Sequence, residues 1–158
     1  FSRRHKEMFT SLGLKAGLFS VAAATVGGLI LGYLARGYQS VLPRLGIPMN
    51  NTNLVDKEVY LYIGTICLIV PICEEIIVRG FIHRGLQIVL GKGRRAVFTS
   101  ALFFALLHPY PSMPPVYLLG IALAVLYDRS SSLTACIFLH IVYNVIVSLP
   151  YLTPALYF

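Results

Sequence analysis

Apolar residues run along this chain in long blocks rather than in the half-polar stripes of a soluble domain. Leu12 to Ala35 is almost unbroken and predicts a membrane-crossing helix. Within it, Gly27, Gly28 and Gly32 are small enough to let a neighbouring helix approach closely. Arg36 to Glu58 predicts a loop, punctuated by Pro43, Pro48 and the polar run Asn50-Asn51-Thr52-Asn53, with room for a short interfacial helix. Val59 to Val70 begins a second span, and its helical pattern continues to about Leu90. Pro71 falls in the middle, where it should kink the helix or start a new segment. A basic turn, Gly91-Lys92-Gly93-Arg94-Arg95, follows. Ala96 to His108 predicts a short third span, closed by Pro109-Tyr110-Pro111. Pro114-Pro115 opens a fourth, Val116 to Tyr127. A turn at Asp128-Arg129-Ser130-Ser131-Ser132 leads into a fifth, Leu133 to Leu149. The pattern therefore predicts an all-α, polytopic transmembrane bundle of about five spans, one integral membrane domain over residues 1–158.

Composition agrees. The chain is 57% hydrophobic and 12% charged, and a soluble domain carries about twice that charged fraction. A start at Phe1 rather than Met leaves room for a longer parent chain. The net charge of +7 lies beside apolar spans and has no nucleic-acid motif with it. It reads as topology and as attraction to the lipid bilayer, and nucleic acid is not an expected partner. Arg3, Arg4, Lys6 and Lys15 place the N-terminus in the cytoplasm. Arg84, Lys92, Arg94 and Arg95 fall on the same side two spans later. Arg36, Arg44 and Lys57 fall outside. Cys67, Cys73 and Cys136 have no metal-type spacing and read as buried packing residues with free thiols. Tyr110, Tyr117 and Tyr127 fit an aromatic belt. Asn50-Asn51-Thr52 matches a glycosylation sequon, a pattern short enough to arise by chance.

Polar residues inside the apolar blocks change the picture from a bundle to a site. Glu74 and Glu75 precede Arg79; Phe104 precedes His108; His140 precedes Asn144. An ionisable side chain at membrane depth costs roughly 2.5–3.5 kcal/mol on insertion scales, so it marks function by default. Glu75 and Arg79 are four apart and share a helix face, while Glu74 is turned away by about 100°. One carboxylate can thus be an ion-pair partner while its neighbour stays open for chemistry. Phe104 with His108, and His140 with Asn144, are also four apart. At about 1.5 Å per residue, Glu74, His108 and His140 can meet in the inner half of the bilayer. His83 has no such partner and reads as an interfacial residue beside Arg84.

Two carboxylates, two imidazoles and an amide are the ingredients of a hydrolytic centre. Amide hydrolysis needs a base for water, donors for the oxyanion and an acid for the leaving amine. Carboxylates in low-dielectric pockets become stronger bases. A metal version is equally open: Glu74, His108 and His140 would make a two-histidine, one-glutamate zinc set with a vacant fourth position.

The ordered triple Glu-Glu-x-x-x-Arg, Phe-x-x-x-His and His-x-x-x-Asn resembles the CPBP intramembrane proteases. That family includes CAAX prenyl endopeptidases of the Rce1 type and bacteriocin-processing and self-immunity (Abi) proteins. The resemblance covers a catalytic core at about Val59 to Leu149, and the Arg79-Gly80-Phe81 context fits it too. It implies that Glu74 activates water and that Glu75 supports the site with Arg79 fixing the pair. His108 would share the water or bind a metal, and His140 and Asn144 would form the oxyanion site. Phe104 would line the pocket. The cofactor stays open, because such proteins have been described both as metalloproteases and as metal-free, glutamate-dependent enzymes. The implied substrate is a peptide or membrane-protein segment, prenylated or leader-like, and the short spans and turns lean toward a bacterial cytoplasmic membrane. Two rivals stand beside this reading. One is a non-enzymatic scaffold or immunity factor of the same fold. The other is a proton-coupled transporter, which a chain without internal repeats fits less well.

Overall fold

The computed structural model describes residues 13–14, 16–47, 61 and 63–152. Arg3, Arg4, His5, Lys6, Lys15, Lys57 and the Asn50-Asn51-Thr52 sequon lie outside the described residues, as does the Val59 start of the second span.

Five helical stretches are seen, and no strand occurs among the described residues. Helix α1 is Leu18–Val41. Helix α2 covers residues 63–90, α3 is Arg94–Leu106, α4 is Met113–Ser130 and α5 is Leu133–Leu152. Among the described residues, three stretches are long and apolar enough to cross a membrane: Leu18–Leu45, Tyr110–Ser130 and Leu133–Pro150. Helix α3 has 13 residues, about 20 Å at 1.5 Å per residue, and is short against a hydrocarbon core of about 30 Å. Many large apolar side chains face outward, including Leu18, Phe19, Ile30, Leu34, Ile88 and Val89. Together with the apolar spans, this makes the protein an integral membrane protein, since such a surface belongs against lipid.

Local signals explain most helix ends. Gly91 (φ +79°) and Gly93 (φ +131°) turn the chain between α2 and α3, in conformations that side chains avoid. Pro114 and Pro115 sit in the first turn of α4, where a missing N–H is harmless. Ser132 caps α5 by accepting the Ala135 N–H at 3.1 Å. The expected loop from Arg36 is corrected: the chain stays helical to Val41 and tightens into a 3₁₀ turn, Leu42–Leu45, ended by Gly46 at φ +74°. The expected turn at Asp128 is shorter too, because α4 runs on to Ser130.

At Pro71 a new segment starts, one of its two expected effects, as a change of helical register. Helix α2 is π-helical over Thr65–Ile69, α-helical over Val70–Glu75, π-helical over Ile76–His83 and α-helical over Arg84–Leu90. The backbone stays right-handed at each junction. The Val70 N–H donates to the Thr65 carbonyl, an i→i−5 bond. The next donor in that register would be residue 71, bonding Ile66, but proline has no N–H. Asn144 of α5 fills the gap: its Nδ2 donates to the Ile66 carbonyl at 2.7 Å. A proline on one helix is thus completed by an amide on another.

Packing sets the remaining geometry. Helices α1 and α5 run parallel and touch through small residues. A Cβ on Gly28 would lie 2.8 Å from Val142 Cβ, and one on Gly32 would lie 2.7 Å from Ile146 Cβ. Gly120 on α4 likewise admits Ala101 of α3, whose Cα would sit 3.0 Å from an added Cβ. The core between the helices is built from Val78, Phe104, Leu119, Leu123, Cys136 and Tyr143. Cys67 and Cys136 are buried as expected, whereas Cys73 is exposed on the outer face of α2. Tyr127 is also buried rather than part of a surface belt.

Replacing Gly28 or Gly32 by alanine should destabilise the protein by about 1–3 kcal/mol through overpacking. Gly37→Ala has open space around its Cβ and should be neutral or slightly stabilising. Unfolding midpoints in detergent check the contrast.

Candidate active site

The site grows from the middle of α2. Glu75 and Arg79 stand one turn apart and are both fully buried. Arg79 Nε lies 3.2 Å from Glu75 Oε2, a close charge contact whose angle falls short of a hydrogen bond, so both atoms remain without an aligned partner. The guanidinium has two further anchors. Nη2 donates to the Gly120 carbonyl at 3.1 Å, and Cζ lies 4.8 Å from the centre of the Phe104 ring. The other oxygen of Glu75 receives the His140 Nδ1–H at 3.0 Å. The pair therefore ties α2 to α3, α4 and α5 at one level.

Glu74, turned to the next face, is different. Its side chain is 29% exposed, so water and substrate can reach it. Two imidazole nitrogens face it: His140 Nε2 at 3.7 Å from Oε2 and His108 Nε2 at 3.9 Å from Oε1. These gaps exceed a direct hydrogen bond. Each ring is oriented from its far side. His108 follows the end of α3, and its Nδ1–H donates back to the Phe104 carbonyl at 2.9 Å, a second donor to an acceptor that also takes the Leu107 N–H at 3.3 Å. His140 is held by Glu75. With both Nδ1 atoms committed as donors, both Nε2 atoms are turned toward Glu74.

This donor set has the chemistry of a metal site, because each histidine leans on an acceptor behind it. Its convergence is another matter. Among the described residues, no three His, Cys, Asp or Glu side chains come together closely enough to hold a metal ion. The arrangement as it stands suits a small neutral molecule between Glu74 and the rings.

Four of the other five residues singled out in the sequence, Arg79, Phe104, His108 and His140, thus gather around Glu74 and Glu75. Asn144 lies one turn beyond His140, with one amide N–H spent on Ile66. Phe104 is fully buried beneath the site, edge-on to His108 at 4.8 Å and to His140 at 5.7 Å between ring centres. A further polar cluster lies further along α2, and it corrects the reading of His83 as a residue without a partner. His83 is fully buried; its Nε2 lies 2.8 Å from Asp128 Oδ1 and its Nδ1 2.9 Å from Ser100 Oγ. Gln87 Nε2 donates to the same Asp128 oxygen at 2.6 Å. The spacing Glu75, Arg79, His83, Gln87 is a continuous i,i+4 ladder, the one signal in the sequence that could have revealed it.

Two stability outcomes follow from this geometry. Glu75→Gln leaves Arg79 buried without its counter-charge and should cost about 3–5 kcal/mol, whereas Glu74→Gln, partly exposed, should cost under about 1 kcal/mol. Asn144→Leu orphans the Ile66 carbonyl and should cost about 1–3 kcal/mol. That loss should shrink in a Pro71→Ala background, where residue 71 regains an N–H. A double-mutant cycle on unfolding free energies measures the coupling.

Comparison with known proteins bears on the same stretch. A family model described as Type II CAAX prenyl endopeptidase Rce1-like matches residues 56–146. Neither the curated proteins nor the solved structures gave a match. The matched segment covers more than half of the chain and contains Glu74, Glu75, Arg79, Phe104, His108, His140 and Asn144. On that match, the chain belongs to the Type II CAAX prenyl endopeptidase Rce1-like family.

Proposed function

We propose that the protein is an intramembrane endopeptidase that hydrolyses a peptide bond with a water activated by Glu74. The observation that carries this reading is the asymmetry of the two carboxylates. Glu75 is fully buried between Arg79 and His140, while Glu74 is open and faced by two Nε2 atoms at 3.7 and 3.9 Å. Family membership supports a protease, and the geometry supports a division of labour within it.

In this mechanism a water sits between Glu74 and His108. One of its protons goes to Glu74 while the other, still bonded to the oxygen, donates a hydrogen bond to His108 Nε2, and the oxygen attacks the carbonyl carbon. Negative charge then grows on the carbonyl oxygen. His140 donates to it through Nε2–H, with the Glu75 carboxylate supporting the positive ring, and the second N–H of Asn144 is the other donor. Glu74 finally returns its proton to the leaving nitrogen as the C–N bond breaks. Glu75, Arg79 and Phe104 do not touch the reacting atoms; they fix His140. Water is the nucleophile without a metal in this mechanism because Glu74, His108 and His140 do not converge on one point. Were a metal bound, Glu74, His108 and His140 would hold it, and it would supply Lewis acidity at the same place.

The expected substrate is a membrane-associated peptide, prenylated or leader-like, entering beside the partly exposed Glu74 and His108. About five membrane crossings, with the N-terminus in the cytoplasm of a bacterial cell, complete this reading. It is supported by the gathering of Arg84, Lys92, Arg94, Arg95 and Arg129 at one end of the bundle.

The test is cleavage of a quenched membrane-peptide library by purified protein. Glu74→Gln should lower cleavage by about 10²–10⁴-fold, and His140→Gln by about 10²–10³-fold, with membrane abundance unchanged. A chelator should leave the wild-type rate intact. Zinc-reversible loss on chelation would overturn the water-only mechanism. Stable wild-type protein that cleaves nothing would favour the scaffold or immunity reading.

A further inference from the structure

A second site lies away from Glu74, at the basic end of the bundle. Between the last turns of α2 and α4 is a half-open cleft of about 310 Å³, lined by Arg84, Gln87, Lys92, Tyr127, Asp128 and Ser131. That volume is at the lower end of small-ligand sites. Its walls carry opposite charges. Arg84 and Lys92 are cationic, and Asp128 is acidic. The positions of two of these are fixed by neighbours. The Arg84 guanidinium lies 5.6 Å from the centre of the Tyr127 ring. Asp128 Oδ1 is clamped by His83 at 2.8 Å and Gln87 at 2.6 Å. A carboxylate has about four acceptor positions, so Asp128 keeps capacity for another donor.

We propose that this cleft binds a phosphoethanolamine group, the zwitterionic head of a phospholipid, with the phosphate on Arg84 and Lys92 and the ammonium on Asp128. A purely anionic ligand would meet the Asp128 carboxylate, and a purely cationic one would meet the two basic residues. A group carrying both charges satisfies the whole lining. The surroundings favour a lipid over a soluble phosphoester. Ile88 and Val89 follow Gln87 in the same helical turn and are 86% and 79% exposed. They offer acyl chains an apolar surface at the end of a membrane-embedded helix. The inference stands apart from the proteolytic reading, since none of the six lining residues belongs to the Glu74 site.

The experiment is lipid retention by purified protein in micelles doped with equal phosphatidylethanolamine, phosphatidylglycerol and phosphatidylcholine, read by native mass spectrometry. Wild type should retain phosphatidylethanolamine above the other two. Lys92→Ala should reduce that retention about fivefold, and Lys92→Glu further. Both changes sit in an exposed turn, so folding is preserved and can be verified by the unfolding midpoint. Asp128→Asn should erase the preference over phosphatidylglycerol. Equal retention of the three lipids by wild type, a preference for phosphatidylglycerol, or retention indifferent to both Lys92 variants would overturn the proposal. A second arm adds soluble glycerophosphoethanolamine as competitor. Displacement only at large excess supports the lipid as the source. Displacement at concentrations matched to the lipid overturns that source in favour of a free phosphoester of the same chemistry.

Discussion

The Glu75 carboxylate is the constraint on which the rest of this structure depends. It is fully buried, at a depth where an uncompensated charge would be costly. Two groups compensate it: Arg79, one turn along the same helix, and His140, reached from α5. Arg79 in turn reaches Gly120 on α4 and lies over Phe104 on α3. Four helices are thus committed to one register by one charge. A buried ion pair adds little net stability compared with a well-packed apolar core. Its value here is geometric, since it fixes the His140 ring and leaves Glu74 as the carboxylate without a locked partner.

The same logic recurs at Pro71. A proline inside a membrane helix frees a carbonyl that no water can satisfy in the bilayer core. The π register displaces that vacancy to Ile66, and Asn144 closes it. The His140 and Asn144 spacing therefore does two jobs on α2, four residues apart on α5. One residue orients the catalytic level, and the other repairs the backbone nearby. π turns commonly accompany functional sites, and here they lie on both sides of Glu74 and Glu75.

Much of this was legible in the sequence because it rests on local spacing. Four-residue intervals put Glu75 with Arg79 and His140 with Asn144, and the apolar blocks located four of the five helices to within a few residues. What stayed hidden depends on contacts across the chain. His83 pairs with Asp128, 45 residues away; the i,i+4 ladder on α2 marks the face His83 lies on but not that partner. The π turns leave no mark in hydrophobic periodicity, so Pro71 signals a break in α2 but not the register change around it. The end of α1 lies beyond Arg36, which looks like a loop residue in the sequence, because a long cationic side chain can stay on a membrane helix and extend toward the interface. The number of crossings is ambiguous for a physical reason as well: α3 is short, and α2 carries its charges inward.

The central claim is that Glu75 holds the His140 ring by its Nδ1 side, presenting Nε2 to the reaction. Nitrogen-15 NMR of histidine-labelled protein tests this directly, with the His140 signals assigned from their loss in His140→Gln. The account predicts a proton on His140 Nδ1 whether the ring is neutral or charged. A neutral His140 carrying its proton on Nε2 alone would contradict it.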